Sequence, residues 1–159
     1  MEAVATSPEE FKYRRERGKP LPTKNHAIVQ SNLLYQLLRR YETTLDVLPE
    51  VSLKITGPPA VPDLAIFPKL TFDPLNDEIS MSEMPLGVVE IISPTQGQEE
   101  LIEKAKRYFA AGVKSYWLVN PAFKIIHITH DARAFRTVTE GVLHDEVLGV
   151  EVELGAVFR

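Results

Sequence analysis

The chain contains no cysteine. That excludes disulfides, thiolate nucleophiles and cysteine-based zinc sites, and it is compatible with a reducing compartment. Long hydrophobic runs are also missing: no apolar stretch approaches the roughly 18 residues that span a bilayer, so no membrane partner is expected. The opening Met1-Glu2-Ala3-Val4 lacks a secretory-signal pattern, and the cytoplasm is the expected location. Nor is there a strong charge of one sign. With 18 Lys and Arg against 22 Asp and Glu, the formal net charge is -4. This gives no global attraction to nucleic acid and leaves any such contact to local basic patches. No internal repeat or low-complexity tract is visible, and Ser93 has no His and Asp spaced for a hydrolase triad. What is present is 159 residues, 44% hydrophobic and 25% charged, a composition suited to one domain with a sizeable core.

The spacing predicts a single domain over 1–159, with residues 1–22 as an extended N-terminal segment. Within it, Lys12 to Lys19 form a basic cluster that Pro20-Leu21-Pro22 closes. Asn25 to Tyr41 carries Ile28, Leu33, Leu34, Leu37 and Leu38 at helical spacing, with Thr23 or Asn25 as the cap. Val51, Leu53 and Ile55 alternate as a strand, Gly57-Pro58-Pro59 turns the chain, and Asp63 to Phe67 forms the next strand. Thr71 to Pro85 reads as a long acidic loop. Gly87 to Ser93 is a short central strand, Gln98 to Ala111 a helix ended by Gly112, and Tyr116 to Val119 a further strand. Ile125 to Thr129 and Phe135 to Val138 follow as antiparallel strands. Strand-helix-strand across 87–119 predicts a parallel, right-handed crossover. The fold class is α/β (α+β): a central mixed sheet flanked by helices.

One residue conflicts with its surroundings. In Gly87-Val88-Val89-Glu90-Ile91-Ile92-Ser93 a carboxylate occupies an otherwise apolar strand. Burying it ionised costs several kcal/mol unless a cation, a metal or hydrogen bonds compensate it. Strand parity puts Val88, Glu90 and Ile92 on one face, with Val89 and Ile91 on the other. On the following helix Leu101, Ala105, Tyr108 and Phe109 form the apolar stripe. Lys104 flanks that stripe, one turn from Glu100 and from Tyr108, and is the base best placed to lean toward the strand ends.

Pro62-Asp63, Val89-Glu90-Ile91-Ile92-Ser93-Pro94, Glu100-x-x-x-Lys104-x-x-x-Tyr108-x-x-x-Gly112-Val113 and Tyr116-Trp117-Leu118-Val119-Asn120-Pro121 come in that order. Together they resemble the Uma-type restriction-endonuclease-like family of the PD-(D/E)XK nuclease superfamily, over roughly residues 24–130. The resemblance implies a restriction-endonuclease-like fold and a metal-dependent endonuclease acting on nucleic acid, DNA ahead of RNA, as a homodimer or higher homo-oligomer. It implies Asp63 and Glu90 as carboxylate ligands of Mg²⁺ or Mn²⁺, completed by the backbone carbonyl of Ile91. The superfamily's lysine usually stands two residues after the glutamate, where this chain has Ile92. The resemblance therefore assigns the catalytic lysine to Lys104 on the helix, with His26, Glu100 and Tyr108 as accessory positions. Two oxygen-ligand carboxylates suit those ions, which keep several waters, lower the pKa of one and offset charge on a phosphate. The chain departs from the pattern at Glu100 and Asn120, where Asp is usual, and at Thr95-Gln96, which replaces Ser-Thr. No N-terminal acid matches well; Glu16 is the candidate. A weakened or single-metal site stays open.

Plainer readings stand beside these. Glu90 pairs with Lys104 or Arg107 as a buried structural charge, Asp63 begins a strand, and Lys104 is the i,i+4 partner of Glu100, worth about 0.3–0.5 kcal/mol. His26 reads as a polar contact at a helix start, and Tyr116-Trp117 as core. His127 and His130 fall on opposite strand faces, so they do not chelate. Asp73, Asp77, Glu78 and Glu83 form a solvated loop. Lys12, Arg14, Arg15, Arg17 and Lys19 meet phosphates or stay solvated. The rival function is a non-enzymatic domain on the nuclease scaffold, binding nucleic acid or a protein, and a closed Glu90–Lys104 ion pair is what it predicts.

Overall fold

The computed structural model describes residues 7–159; the signal-sequence reading of Met1 to Val4 lies outside them. In chain order the elements are α1 (Pro8–Arg17), α2 (Lys24–Tyr41), β1 (Leu45–Pro49), β2 (Ser52–Leu53), β3 (Leu64–Pro68), β4 (Ser80–Met81), β5 (Gly87–Ile91) and α3 (Gln98–Ala111). They continue with β6 (Ser115–Asn120), β7 (Ile125–Thr129), β8 (Arg136–Val138), β9 (Val142–Asp145), β10 (Val150–Glu153) and α4 (Leu154–Val157).

Six strands form one sheet in the order β1-β3-β5-β6-β7-β8. β5 and β6 are parallel neighbours joined through α3, and every other neighbouring pair is antiparallel. This is the mixed sheet with one parallel crossover that the strand-helix-strand pattern predicts. Side-chain alternation divides the core between the two faces. Leu64, Ile66, Val89, Ile91, Trp117 and Val119 pack on the α2 side, against Val29, Leu33 and Leu37. Ala65, Phe67, Val88, Tyr116 and Leu118 pack on the α3 side, against Leu101, Ala105 and Tyr108. All five residues of β5 are buried, as a central strand requires.

Thr23 caps α2: its Oγ1 accepts from the His26 amide at 3.2 Å. Removing a cap hydroxyl costs about 1 kcal/mol. Thr23→Ala is therefore expected to lower the urea midpoint by that amount, and an unchanged midpoint would show that the cap is dispensable.

Several expectations are corrected. The N-terminal basic stretch is helical rather than extended. Ser7 caps it, Pro8 occupies its first turn, Glu9 and Glu10 stand at the start, and Arg14, Arg15 and Arg17 stand in the last turn. Because α1 buries no residue, it has no apolar period to reveal it. The long loop is interrupted by β4, which pairs in parallel with β2 over two residues. β1 sits beside β3, with Leu45 and Val47 turned inward. The C-terminal residues add the β9–β10 hairpin and α4, which join the core on the α2 side.

Candidate active site

The β3–β5 register sets Leu64 opposite Val89. The residue before Leu64 and the residue after Val89 therefore come together, and these are Asp63 and Glu90. Ile91 locks the junction: its amide donates to Asp63 Oδ2 at 2.6 Å. Both carboxylates are almost wholly buried, at 1% and 2% exposure. They line a cavity of about 20 Å³, with Lys19, His26, Ile92 and Ser93 also in its walls. That is room for about one water.

The two acids are held differently. Asp63 Oδ1 receives Lys19 Nζ at 2.8 Å and meets His26 Nε2 at 2.9 Å. Burial pushes the Asp63 carboxyl up, but the His26 hydrogen bond and the Lys19 charge more than offset it, so Asp63 lies below its ordinary pKa. Glu90 faces the α3 side, where Oε1 accepts from the Tyr108 hydroxyl at 2.8 Å and lies 3.5 Å from Lys104 Nζ. Here burial wins. The Lys104 charge pulls the Glu90 carboxyl down, but desolvation together with repulsion from Asp63 leaves it raised. Burial beside Glu90 in turn lifts the Tyr108 hydroxyl well above its ordinary pKa, so it stays a neutral donor.

The structure brings Asp63, Glu90, Lys104, Tyr108, His26 and the Ile91 backbone to one end of the sheet. Ile92 lines the cavity at the position of the superfamily's usual lysine. Glu100 is exposed; among the described residues Glu90 pairs with Lys104 and not with Arg107, and Lys104 does not pair with Glu100. Arg107 donates to the Thr56 and Pro58 carbonyls instead. His26 does more than start a helix, since its ring reaches Asp63. Glu16 is exposed on α1. Of the basic cluster, Lys12 and Arg15 are exposed, Arg14 is tied to Glu10 and Thr95, and Arg17 to Glu50. His127 contacts Thr137 while His130 contacts Asp145, so they do not form a pair. Tyr116 and Trp117 are core.

Two residues at the site, Glu50 and Gln30, are absent from the sequence reading, and a third, Lys19, is corrected: read there as solvated or meeting phosphates, it is buried against the site acids. Lys19 is buried and contacts Glu50 Oε2 at 2.6 Å as well as Asp63. Glu50 adopts a left-handed backbone, φ 56°, unusual for a non-glycine residue and a form of strain that clusters at functional sites. Gln30 donates to the Asp63 carbonyl at 2.8 Å and to Glu50 Oε1 at 3.3 Å. The one available signal was Gly18-Lys19-Pro20, a turn that fixes where a lysine points.

The donor set fits a hard divalent cation. Among the described residues no group of three or more His, Asp or Glu is gathered as a metal cage. Two carboxylates and a carbonyl, with water supplying the rest, suit Mg²⁺ or Mn²⁺ nonetheless. The described contacts of Glu90 all fall on Oε1, and the buried Nδ1 of His26 has no hydrogen-bond partner among the described residues.

The mixed sheet with one parallel crossover, with Asp63 and Glu90 meeting where two central strands end, is the fold that the resemblance to restriction-endonuclease-like proteins implies. The chain belongs to the Uma2 family, described as "Putative restriction endonuclease", whose family model matches residues 5–155. A crystal structure described as a "putative nuclease" from Anabaena variabilis superimposes with a TM-score of 0.75. It covers 88% of this chain and 83% of its own at 16% identity, so the likeness is one of fold. No curated protein matches the chain. Among the described residues, no helix is long and apolar enough to cross a membrane.

Proposed function

We propose that the chain is a single-domain, divalent-metal-dependent nuclease that hydrolyses phosphodiester bonds of nucleic acid. The observation that carries this reading is the convergence of Asp63 and Glu90, buried, in one small polar cavity. DNA is preferred to RNA because the family is described as a restriction endonuclease. Cutting both strands of a duplex calls for two such sites, which a homodimer or higher homo-oligomer supplies.

Asp63, Glu90 and the Ile91 carbonyl would hold Mg²⁺ or Mn²⁺. When bound, such an ion makes water a stronger nucleophile at neutral pH and offsets charge on the phosphate. Asp63, with its lowered pKa, is ionised and ready at neutral pH. Tyr108 fixes Glu90 through Oε1. Lys104 holds the charge of Glu90 and offsets the negative charge that develops as the phosphodiester is attacked.

The non-enzymatic scaffold remains the second reading, favoured by the 3.5 Å approach of Lys104 to Glu90. Cleavage assays separate the two. Wild type is expected to cut DNA or RNA with Mg²⁺ or Mn²⁺ and to stop on chelation. Lys104→Ala is expected to slow the chemical step by about 10²–10³ with binding retained, the usual loss for one electrostatic group. Identical traces for wild type, variant and chelated protein across both substrates would establish the scaffold.

A further inference from the structure

Lys19 places an ammonium on the carboxylate that a divalent cation needs. Its Nζ lies 2.8 Å from Asp63 Oδ1 and 2.6 Å from Glu50 Oε2, and the residue is only 6% exposed. Asp63 has little spare capacity, since Oδ1 also meets His26 and Oδ2 accepts from Ile91. A carboxylate has about four lone-pair sites, and like charges oppose each other strongly in a buried setting. Lys19 and a metal therefore compete for Asp63 whichever oxygen the metal takes.

The surroundings allow the ammonium to yield. Gly18, at φ 71°, makes the turn that delivers Lys19, and a Cβ there would lie 3.1 Å from the Pro59 carbonyl oxygen. α1 itself buries no residue. Side-chain bonds such as Arg14 to Thr95 and Arg17 to Glu50 fasten it to the body, so a small shift leaves the core intact. Glu50 already shares the ammonium and is more exposed than Asp63, which makes it a ready acceptor.

We propose that Lys19 is a tethered cation that closes the site on Asp63 and withdraws onto Glu50 when a divalent ion binds, so that the N-terminal turn gates metal occupancy. The inference rests on Asp63 being a metal ligand. It gives Lys19 and Glu50 opposite signs: Lys19 works against the metal, and Glu50 works for it by drawing the lysine away.

The test is Mn²⁺ affinity, read by electron paramagnetic resonance at fixed pH and ionic strength on the whole chain. Lys19→Met is expected to tighten binding about tenfold or more, the scale of removing one nearby positive charge. Glu50→Gln is expected to weaken it several-fold, and the double variant to behave like Lys19→Met, because Glu50 acts through the lysine. An unchanged or weaker affinity in Lys19→Met, or an equal effect of Glu50→Gln in both backgrounds, overturns the gate and leaves the nuclease reading standing. Binding that Asp63→Asn does not diminish, or no binding at all, overturns the metal reading and this inference with it. If Lys19→Met does not fold, the wild type decides. Its Lys19 ammonium resonance is expected to shift on Mg²⁺ addition and to saturate with binding; an unmoved resonance refutes the exchange.

Discussion

Asp63→Asn is expected to abolish cleavage and to cost the fold about 3 kcal/mol, whereas Glu90→Gln is expected to abolish cleavage and to stabilise the fold at neutral pH. Each variant removes one negative charge from the same cavity, and the opposite signs come from how each charge is compensated. Asp63 has Lys19, His26 and the Ile91 amide. Removing one partner from a buried charge pair costs about 3–5 kcal/mol, and Glu50 keeps Asp63→Asn at the lower end by retaining Lys19. Glu90 has the Tyr108 hydroxyl, which glutamine can keep, and Lys104 at 3.5 Å, which does not repay its desolvation.

The pH dependence separates them again. The Asp63 carboxyl is lowered in the folded state, so its stabilisation is fully present above the unfolded-state pKa and is lost as pH falls through the folded one. The gap between wild type and Asp63→Asn closes on that descent. The Glu90 carboxyl is raised, so its ionised form opposes folding above the folded-state pKa, and the penalty is gone below the ordinary value. The advantage of Glu90→Gln is therefore greatest at neutral pH and fades on acidification. Urea midpoints of the three proteins check both trends, the Glu90 trend from about pH 8 down to pH 4 and the Asp63 trend on continuing to about pH 2. Equal losses in both variants would mean that burial does not govern Glu90.

What the sequence discloses here depends on the kind of signal. α2 and α3 are legible because each buries a periodic stripe, and β5 because it is a short, continuous apolar run buried on both faces. α1 forms through capping and end charges alone and leaves no such trace. β2 and β4 are two residues each, below the length at which alternation means anything. β9 and β10 alternate over only four residues each, and their pairing partner lies across a turn. At the site, Glu90 is visible because a carboxylate within an apolar strand contradicts its neighbours. Its partner Asp63 becomes convincing only once the register is known. Lys19 and Glu50 are hidden for the opposite reason. A lysine among other bases and a glutamate after a proline contradict nothing locally, and their significance lies in contacts between distant segments.

Asp145→Ala is expected to cost about 3–4 kcal/mol and to leave Mn²⁺ affinity and cleavage per folded molecule unchanged. Asp145 ends β9 and is 1% exposed. Its Oδ2 accepts from the Ser115 hydroxyl and from Trp117 Nε1 at 2.8 Å, tying the hairpin to the start of β6. Oδ1 meets His130 Nε2 at 3.2 Å and accepts from the Val147 and Leu148 amides at 3.0 and 3.1 Å, which shapes the turn into β10. Alanine strands the buried Ser115 and Trp117 donors, each at about 1–3 kcal/mol, and loosens the turn as well. Asp145→Asn fares little better, because its amide nitrogen would face donors. Guanidinium or urea midpoints give the loss, and a loss below about 1 kcal/mol would show that the hairpin holds without this anchor. A changed metal affinity would place Asp145 within reach of the site, contrary to its anchor on Ser115, which pairs with Gly87 at the opposite end of β5 from Glu90. Together with Glu90→Gln, this variant tells a buried acid kept for the fold from one kept at the fold's expense: the first loses stability and keeps its metal, the second gains stability and loses its chemistry.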